Sequence, residues 1–205
     1  MSSAEQGTSD RRLLRGARSR RAILRHAVDV ASLEGLDGLS LGRLAGDLKI
    51  SKSGVQTLFG TKENLQVATA ECARGVFADA VVRPALSAPE GAARLRALVE
   101  SWLAYATTPL FPGGCFWAAN QAAFDGRPGR VHDALFDGQR SWRGLLADEL
   151  RHAVEAAEIA ELDVDLAAFQ LDAVLLAANT ALRCGDEDAA AKARRVAEGL
   201  LEPPR

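Results

Sequence analysis

A chain of 205 residues can form one large domain or two small ones, and it is long enough to bury a substantial core. Its 48% apolar and 25% charged residues are ordinary for a globular protein and exclude a disordered or fibrous chain. The net charge of −2 hides an asymmetry, since residues 1–62 carry eleven Lys and Arg against six Asp and Glu, and residues 63–205 carry fourteen against 21. The chain therefore has a basic front end and an acidic body.

The three cysteines, Cys72, Cys115 and Cys184, are scattered and lie outside any C-x-x-C pair, which favours neither a disulfide framework nor a thiolate metal site. No apolar stretch approaches the ~20 residues of a membrane span. The N-terminus also lacks the apolar segment of a secretory signal. We therefore expect a cytoplasmic protein with no membrane segment, no metal site and no cofactor.

Apolar residues recur at helical spacing almost throughout, which predicts an all-α fold. Residues 1–16, rich in Ser, Gly and Arg, are predicted to form a flexible basic arm. A first helix is predicted from about Arg18 to Glu34, with Gly35 ending it.

Two short helices and a long one follow. Ser40 can cap a helix that carries Leu44, and Ser51 can cap a helix that ends at Gly60. Thr61 can then cap a long helix that reaches about Pro84. Two short helices joined by a tight turn and packed on a longer one predict a helix-turn-helix domain at residues 17–62.

Residues 63–205 are predicted to form a larger helical domain for ligand binding and dimerisation. Its further helices are expected at about 89–107, 115–124 and 131–157, then from Asp163 or Asp165 to Arg183, and last after Asp186. The last two have wide apolar faces with small residues, which favours a dimer interface, although the same faces could complete the core of a single subunit. The face residues are Leu166, Phe169, Ala173, Val174, Ala177, Thr180 and Ala181 in the first helix, and Ala189, Ala193, Val196, Ala197 and Leu200 in the second.

The stretch from Ile23 to Leu65 resembles, over roughly 45 residues, the DNA-binding domain of the tetracycline-repressor (TetR) family of bacterial transcription regulators. The matching residues are Ile23-Leu24, Ala27, Glu34-Gly35, Gly38, Leu39-Ser40-Leu41, Leu44-Ala45, Ile50-Ser51-Lys52-Ser53-Gly54-Val55 and Leu58-Phe59-Gly60-Thr61-Lys62-Glu63-Asn64-Leu65. The chain departs from the family pattern at Gly54, Gln56 and Leu58, where the family often has Thr, Tyr and Tyr. The resemblance implies dimers that pair through the two C-terminal helices of each subunit.

Side-chain chemistry on this motif predicts the DNA contacts. Lys52, Ser53, Gln56 and Thr57 lie away from the apolar face and can reach the major groove, where Gln56 can pair with an adenine edge. Ser40, Arg43, Ser51, Thr61 and Lys62 are placed at helix starts, where they can hold phosphates. Arg43 could equally be a solvated surface charge, and the arm could be merely solubilising. The arm residues that could follow the DNA backbone are Arg11, Arg12, Arg15, Arg18, Arg20 and Arg21.

Most of the aromatic residues lie between Trp102 and Trp142, which favours an apolar ligand pocket between helices, with core packing as the alternative. The candidate lining residues are Trp102, Tyr105, Phe116, Trp117, Asn120, Phe124 and Trp142. Cys115 could be a redox sensor or a buried structural thiol. In the family, a ligand between these helices moves the long helix after Thr61 and separates the DNA-reading heads.

We therefore expect a homodimeric, ligand-responsive regulator, most simply a repressor, that binds a palindromic double-stranded DNA operator and is released by a small apolar or aromatic effector. The alternative is a small helical enzyme or small-molecule-binding protein that does not bind DNA. No catalytic residues are predicted, because the three histidines are far apart and no nucleophile or phosphate-loop signature occurs.

Overall fold

Helices make up most of the computed structural model, which describes residues 3–108 and 110–203 and the side chains from Gly16 onward. No strand occurs in these two ranges, so the all-α prediction is confirmed. The helices are α1 (Ser3–Glu34), α2 (Leu41–Asp47), α3 (Lys52–Phe59), α4 (Lys62–Phe77), α5 (Arg83–Ala85), α6 (Ala92–Thr107), α7 (Phe116–Phe124), α8 (Arg130–Glu155), α9 (Val164–Arg183) and α10 (Ala189–Leu200). A 3-10 turn, Leu36–Gly38, follows α1, and a π-helical turn, Ala78–Val82, joins α4 to α5.

The first helix is longer than the sequence predicts. It begins at Ser3 and not near Arg18, so the backbone of most of the predicted arm continues α1. Extending an existing helix costs far less than starting one, so the packed C-terminal half of α1 can carry weak helix formers such as Gly7 and Thr8. The side chains of Arg11, Arg12 and Arg15 lie outside the described part of the chain.

Side-chain caps fix the starts of α2 and α3 in the head, by which we mean α1–α3, and the start of α4. The hydroxyls of Ser40, Ser51 and Thr61 accept hydrogen bonds from the backbone N–H groups of residues 43, 54 and 64, each at 3.1 Å. These bonds satisfy N–H groups that a helix start leaves free, and each cap is worth about 1 kcal/mol. The predicted starts of α2, α3 and α4 therefore agree with the structure.

The body comprises α4–α10, with α9 packed against α6, α8 and α10. By length and composition α9 is apolar enough to cross a membrane. Its buried positions include Leu171, Leu175 and the polar Asp172 and Asn179, all packed within the protein. One face of α9 therefore belongs to the core of the body.

Candidate DNA interface and effector cavity

The outer face of α3 is polar and open. Val55 and Phe59 are buried against the head, whereas Lys52, Ser53, Gln56 and Thr57 are exposed. The sequence-predicted division between a packing face and a polar face is therefore present in the structure. An exposed, capped helix that presents an ammonium, two hydroxyls and an amide has the donors and acceptors that base edges and phosphates require.

Gln56 and Thr57, and Lys62 at the start of α4, already have hydrogen-bond partners within the protein. Gln56 donates through Nε2 to the carbonyl of Gly60, and Thr57 Oγ1 donates to the carbonyl of Ser53 at 2.8 Å. Lys62 Nζ donates to the carbonyl of Asp37 at 2.6 Å. A DNA contact by Gln56 or Lys62 would exchange an exposed internal bond for one to the nucleic acid.

Arg43 is held most firmly of the predicted contacts. Its guanidinium forms a two-pronged ion pair with Glu34, through Nη1 and Nη2, and lies 3.6 Å from Asp47. The hydrogen bonds from Arg43 lower the pKa of Glu34. His26 Nε2 lies 2.9 Å from Oδ2 of Asp47, so the cluster ties α2 to α1. The geometry gives Arg43 a packing role between these two helices.

Exposed arginines extend the basic surface along α1. Arg18, Arg20, Arg21 and Arg25 are all exposed, and the guanidinium of Arg20 lies 5.5 Å from the ring centroid of Phe59 at the end of α3. Arg20 therefore places a positive charge beside the end of α3, and exposed cations of this kind attract a polyanion.

The body contains a small cavity of about 50 Å³ between α4, α6, α7, α8 and α9. Its wall is largely aromatic, with the Phe77 ring set edge-to-face against Trp117 at 5.2 Å and against Trp142 at 5.4 Å between centroids. The lining residues are Arg74, Phe77, Trp102, Cys115, Trp117, Gln121, Gly138, Gln139, Trp142, Asp172 and Leu176.

The structure brings together part of the predicted pocket. Trp102, Trp117 and Trp142 line the cavity. Tyr105 and Phe116 are buried in the aromatic cluster behind the wall, where Tyr105 packs on Phe77 at 5.5 Å and Phe116 on Trp117 at 5.6 Å. Asn120 and Phe124 lie elsewhere on α7, and neither lines this cavity. Phe124, the last residue of α7, lies instead under the guanidinium of Arg127, at 4.2 Å.

Several lining residues were missed because they come from other parts of the chain. Arg74 and Phe77 lie on α4, and Asp172 and Leu176 lie on α9. The available signal was the apolar spacing Ala70, Ala73, Phe77 on α4, which predicts a buried stripe but not what it faces.

Polar groups on the wall form a hydrogen-bonded chain. Gln121 Nε2 donates to Gln139 Oε1 at 2.9 Å, and Gln139 Nε2 donates to Asp172 Oδ2 at 3.3 Å. Arg143 donates to the same carboxylate oxygen at 3.2 and 3.3 Å. Trp142 Nε1 has no hydrogen-bond partner although the atom is buried. The buried carboxylate of Asp172 is therefore paired with a guanidinium, whereas the buried N–H of Trp142 has no acceptor.

Cys115 precedes α7 and is buried. Burial raises the pKa of its thiol above the ordinary value. Because the thiolate is the reactive form, the surroundings of Cys115 favour an inert, protonated thiol.

Asn120 joins the body to the head. Its side chain is fully buried, and its Oδ1 accepts a hydrogen bond from the backbone N–H of Leu36 at 2.6 Å. Its Nδ2 donates to the carbonyls of Ala31, at 3.2 Å, and Phe116, at 2.7 Å. The sequence assigned Asn120 to the pocket because it lies on the aromatic helix, but the residues of a helix point in different directions around its axis, and Asn120 is directed at α1.

Two further contacts hold the same junction. Arg127 forms a two-pronged pair with Asp37, at 2.6 and 3.1 Å, and the hydrogen bond from Arg127 lowers the pKa of Asp37. The backbone N–H of Gly113 donates to Ser32 Oγ at 3.0 Å. A Cβ atom on Gly113 would lie 1.8 Å from the Ser32 carbonyl oxygen, so this close approach requires glycine.

No group of three or more His, Cys, Asp and Glu side chains is placed to hold a metal ion in the described part of the chain.

Comparison with known proteins identifies the fold and the family. The model of the tetracyclin repressor-like C-terminal domain matches residues 91–197, which is more than half of the chain. Curated proteins give no match. Among solved structures, the chain is similar to the reduced form of E. coli NemR (20% identity, TM-score 0.77, covering 91% of this chain and 98% of that one). It is also similar to a TetR-family regulator from Cytophaga hutchinsonii (18%, 0.78, 91% and 96%).

A third similar structure is AibR in complex with isovaleryl coenzyme A and operator DNA (18% identity, TM-score 0.72, covering 90% of this chain and 99% of that one). Identities this low show a common fold, whereas the family model covers most of the body. With a helix-turn-helix head on that body, the chain belongs to the TetR family of transcriptional regulators.

Proposed function

We propose that the chain is a homodimeric repressor that binds a palindromic DNA operator through α3 and releases it when a small effector enters the body cavity. The observation that carries the proposal is that one chain has both an exposed polar face on a capped α3 and an aromatic cavity in the body, and that α7 contacts both the cavity and the head. The basic front end and the acidic body agree with this division of labour, since phosphate attracts the first and repels the second.

Direct base contacts are assigned to the exposed face of α3. Gln56 can pair through its amide with an adenine edge, and Lys52 can neutralise a phosphate. The relative AibR is described with operator DNA, and we extend DNA binding to this chain on the strength of the family and of this face.

Dimerisation is assigned to α9 and α10. The face residues Leu166, Phe169 and Val196 are 53%, 55% and 43% exposed in the single chain, which is unusual for large apolar side chains. The face of α9 also presents the exposed small residues Ala173 and Ala177, which permit close approach of a second helix pair. A dimer would place its two heads on operator half-sites ~34 Å apart. Two heads are needed because a single small head buries too little surface to bind DNA tightly.

Effector control is assigned to α7. This helix carries Trp117 on the cavity wall and, three residues later, Asn120 in contact with the head. An effector that displaces Trp117 would move α7 and its contacts with Ala31 and Leu36. The effector then weakens DNA binding by as much as it prefers the displaced arrangement.

The test is selection of bound sequences from a random duplex DNA library, followed by affinity measurements across salt concentrations. We expect a selected palindrome and a steep fall of log K with log salt. Lys52→Ala should reduce that slope by about one, and Gln56→Ala should cost about 1–3 kcal/mol of sequence discrimination.

Arg151→Ala is the matched control, because Arg151 is an exposed cation of α8 in the body and should leave both quantities unchanged. If the protein bound no duplex DNA, or bound without sequence preference or salt dependence, the proposal would be rejected.

A further inference from the structure

We infer that the effector is an aromatic carboxylate, an inference that rests on the proposed function and specifies the ligand class of its cavity. The shape of the wall supplies the first argument. Phe77, Trp102, Trp117 and Trp142 bound the cavity, and such ring faces and edges pack best against a flat aromatic ligand.

Unfilled hydrogen-bonding capacity on the wall supplies the second argument. Trp142 is 8% exposed, and its Nε1–H has no acceptor. Arg74, an exposed residue of α4, lines the same cavity and forms no ion pair or hydrogen bond with any part of the chain that the structure describes. Both groups are donors and one is cationic, so an anionic ligand would find at this wall a buried donor and a cation that no other described group occupies.

The strongest acceptor on the wall already has its donors. Asp172 is the single carboxylate among the described lining residues, and it accepts from Gln139 and from the Arg143 guanidinium. Gln139 in turn accepts from Gln121. An organic cation would find aromatic faces here but no unpaired carboxylate, and it would be repelled by Arg74. A carboxylate would instead meet the two free donors.

The size of the cavity indicates how such a ligand enters. Its volume of about 50 Å³ is well below the ~300–1,000 Å³ of ligand pockets. Binding must therefore displace part of the wall. Trp117 is the half-buried member of the three tryptophans and lies on the short α7, so we expect it to move.

Intrinsic fluorescence gives a direct test, because all three tryptophans of the chain line this cavity. We would titrate DNA-free protein with benzoate and 1-naphthoate, and with benzyl alcohol and benzylammonium as neutral and cationic probes. We expect a saturable change in tryptophan emission, with at least one carboxylate binding about tenfold or more tightly than the alcohol, and benzylammonium weakest.

Two variants locate the carboxylate. Trp142→Phe keeps a ring but removes the N–H donor, and it should weaken carboxylate binding several-fold more than alcohol binding, which separates loss of the donor from the void that the smaller ring leaves. Arg74→Gln should abolish the preference for carboxylate over alcohol. Arg83→Gln is the matched control, since Arg83 is exposed on neighbouring α5, pairs with Asp79 and does not line the cavity.

The ligand class would be overturned by tighter binding of benzylammonium or benzyl alcohol, by binding of none of the probes, or by an Arg74→Gln protein that still prefers carboxylates. A different result would contradict the proposed function without contradicting the ligand class. Carboxylate binding by a protein that has no selected operator, or that holds its operator at saturating carboxylate, would contradict the repressor mechanism and leave the ligand class intact.

Discussion

Replacing Asn120 by alanine should destabilise the protein out of proportion to the size of the side chain. The change removes the acceptor of the buried N–H of Leu36, which lies 2.6 Å from Asn120 Oδ1. The Ala31 carbonyl keeps a second partner, because it also accepts from the backbone N–H of Gly35 at 3.0 Å. One buried donor is therefore left without a partner, at the end of α1.

The expected cost follows from these contacts. A buried, unpaired N–H costs about 1–3 kcal/mol, and the small void left at a fully buried position adds about 1 kcal/mol. The sum is about 2–4 kcal/mol in the free energy of unfolding. For a chain of this length each kcal/mol shifts Tm by about 2–4 °C, so we expect Tm to fall by about 5–15 °C.

Thermal and urea unfolding followed by circular dichroism would measure the loss, at one fixed protomer concentration because dimerisation adds to apparent stability. Gln121→Ala is the control on the same helix, since Gln121 is half-buried and gives up one bond, to Gln139. It should cost less than about 1 kcal/mol. An Asn120→Ala protein that unfolds within about 0.5 kcal/mol of the unaltered protein would refute the reasoning.

Three further changes test the same structure. Gly113→Ala should lower Tm by several degrees and loosen the head, because its Cβ would lie 1.8 Å from the Ser32 carbonyl oxygen. Gly126→Ala is the control and should be tolerated, because its Cβ would have no other atom within 4 Å. Equal Tm values for the two variants would contradict the close approach. Phe169→Asp should shift the protein from dimer to monomer in sedimentation velocity, and Ala118→Asp, the same added charge on an exposed position of α7 outside the proposed interface, should not. An unchanged dimer in Phe169→Asp would remove α9 from the interface. Arg127 lowers the pKa of Asp37 below its ordinary value of 3.8, so the pair's contribution is complete above that pH and is lost as pH falls through the lowered value. The Tm difference between the unaltered protein and Asp37→Asn should therefore vanish in strong acid, and a difference that grows on acidification would reverse the assigned sign.

Local signals in the sequence were sufficient to predict the starts of α2, α3 and α4. Ser40, Ser51 and Thr61 cap helices at the predicted positions because an N-cap hydroxyl acts on N–H groups two or three residues away. The start of α1 was missed for the opposite reason. Whether a weak segment continues a helix depends on the stability of the packed helix it extends, which local composition does not report.

Only part of the cavity could be predicted from the sequence, because its wall is assembled from distant segments. Trp102, Trp117 and Trp142 were identified from their clustering in the sequence, but Phe77 and Asp172 come from helices before and after that cluster. Asn120 shows the limit of composition. An amide among aromatic residues suggests a ligand contact, but its three bonds to Ala31, Leu36 and Phe116 depend on how α7 meets α1, which is a tertiary relationship.

The position of α7 makes a thermodynamic link between cavity and head difficult to avoid. The cavity, of about 50 Å³, cannot admit a ring-sized ligand unless a wall moves, and the same helix that supplies Trp117 holds Leu36 through Asn120. Any ligand that enters by moving α7 must either break those bonds or carry the end of α1 along. Linkage then requires that DNA weaken ligand binding by the same factor as the ligand weakens DNA binding. Loss of that mutual effect in Asn120→Ala, with both individual affinities retained, would identify Asn120 as the connection between the two sites.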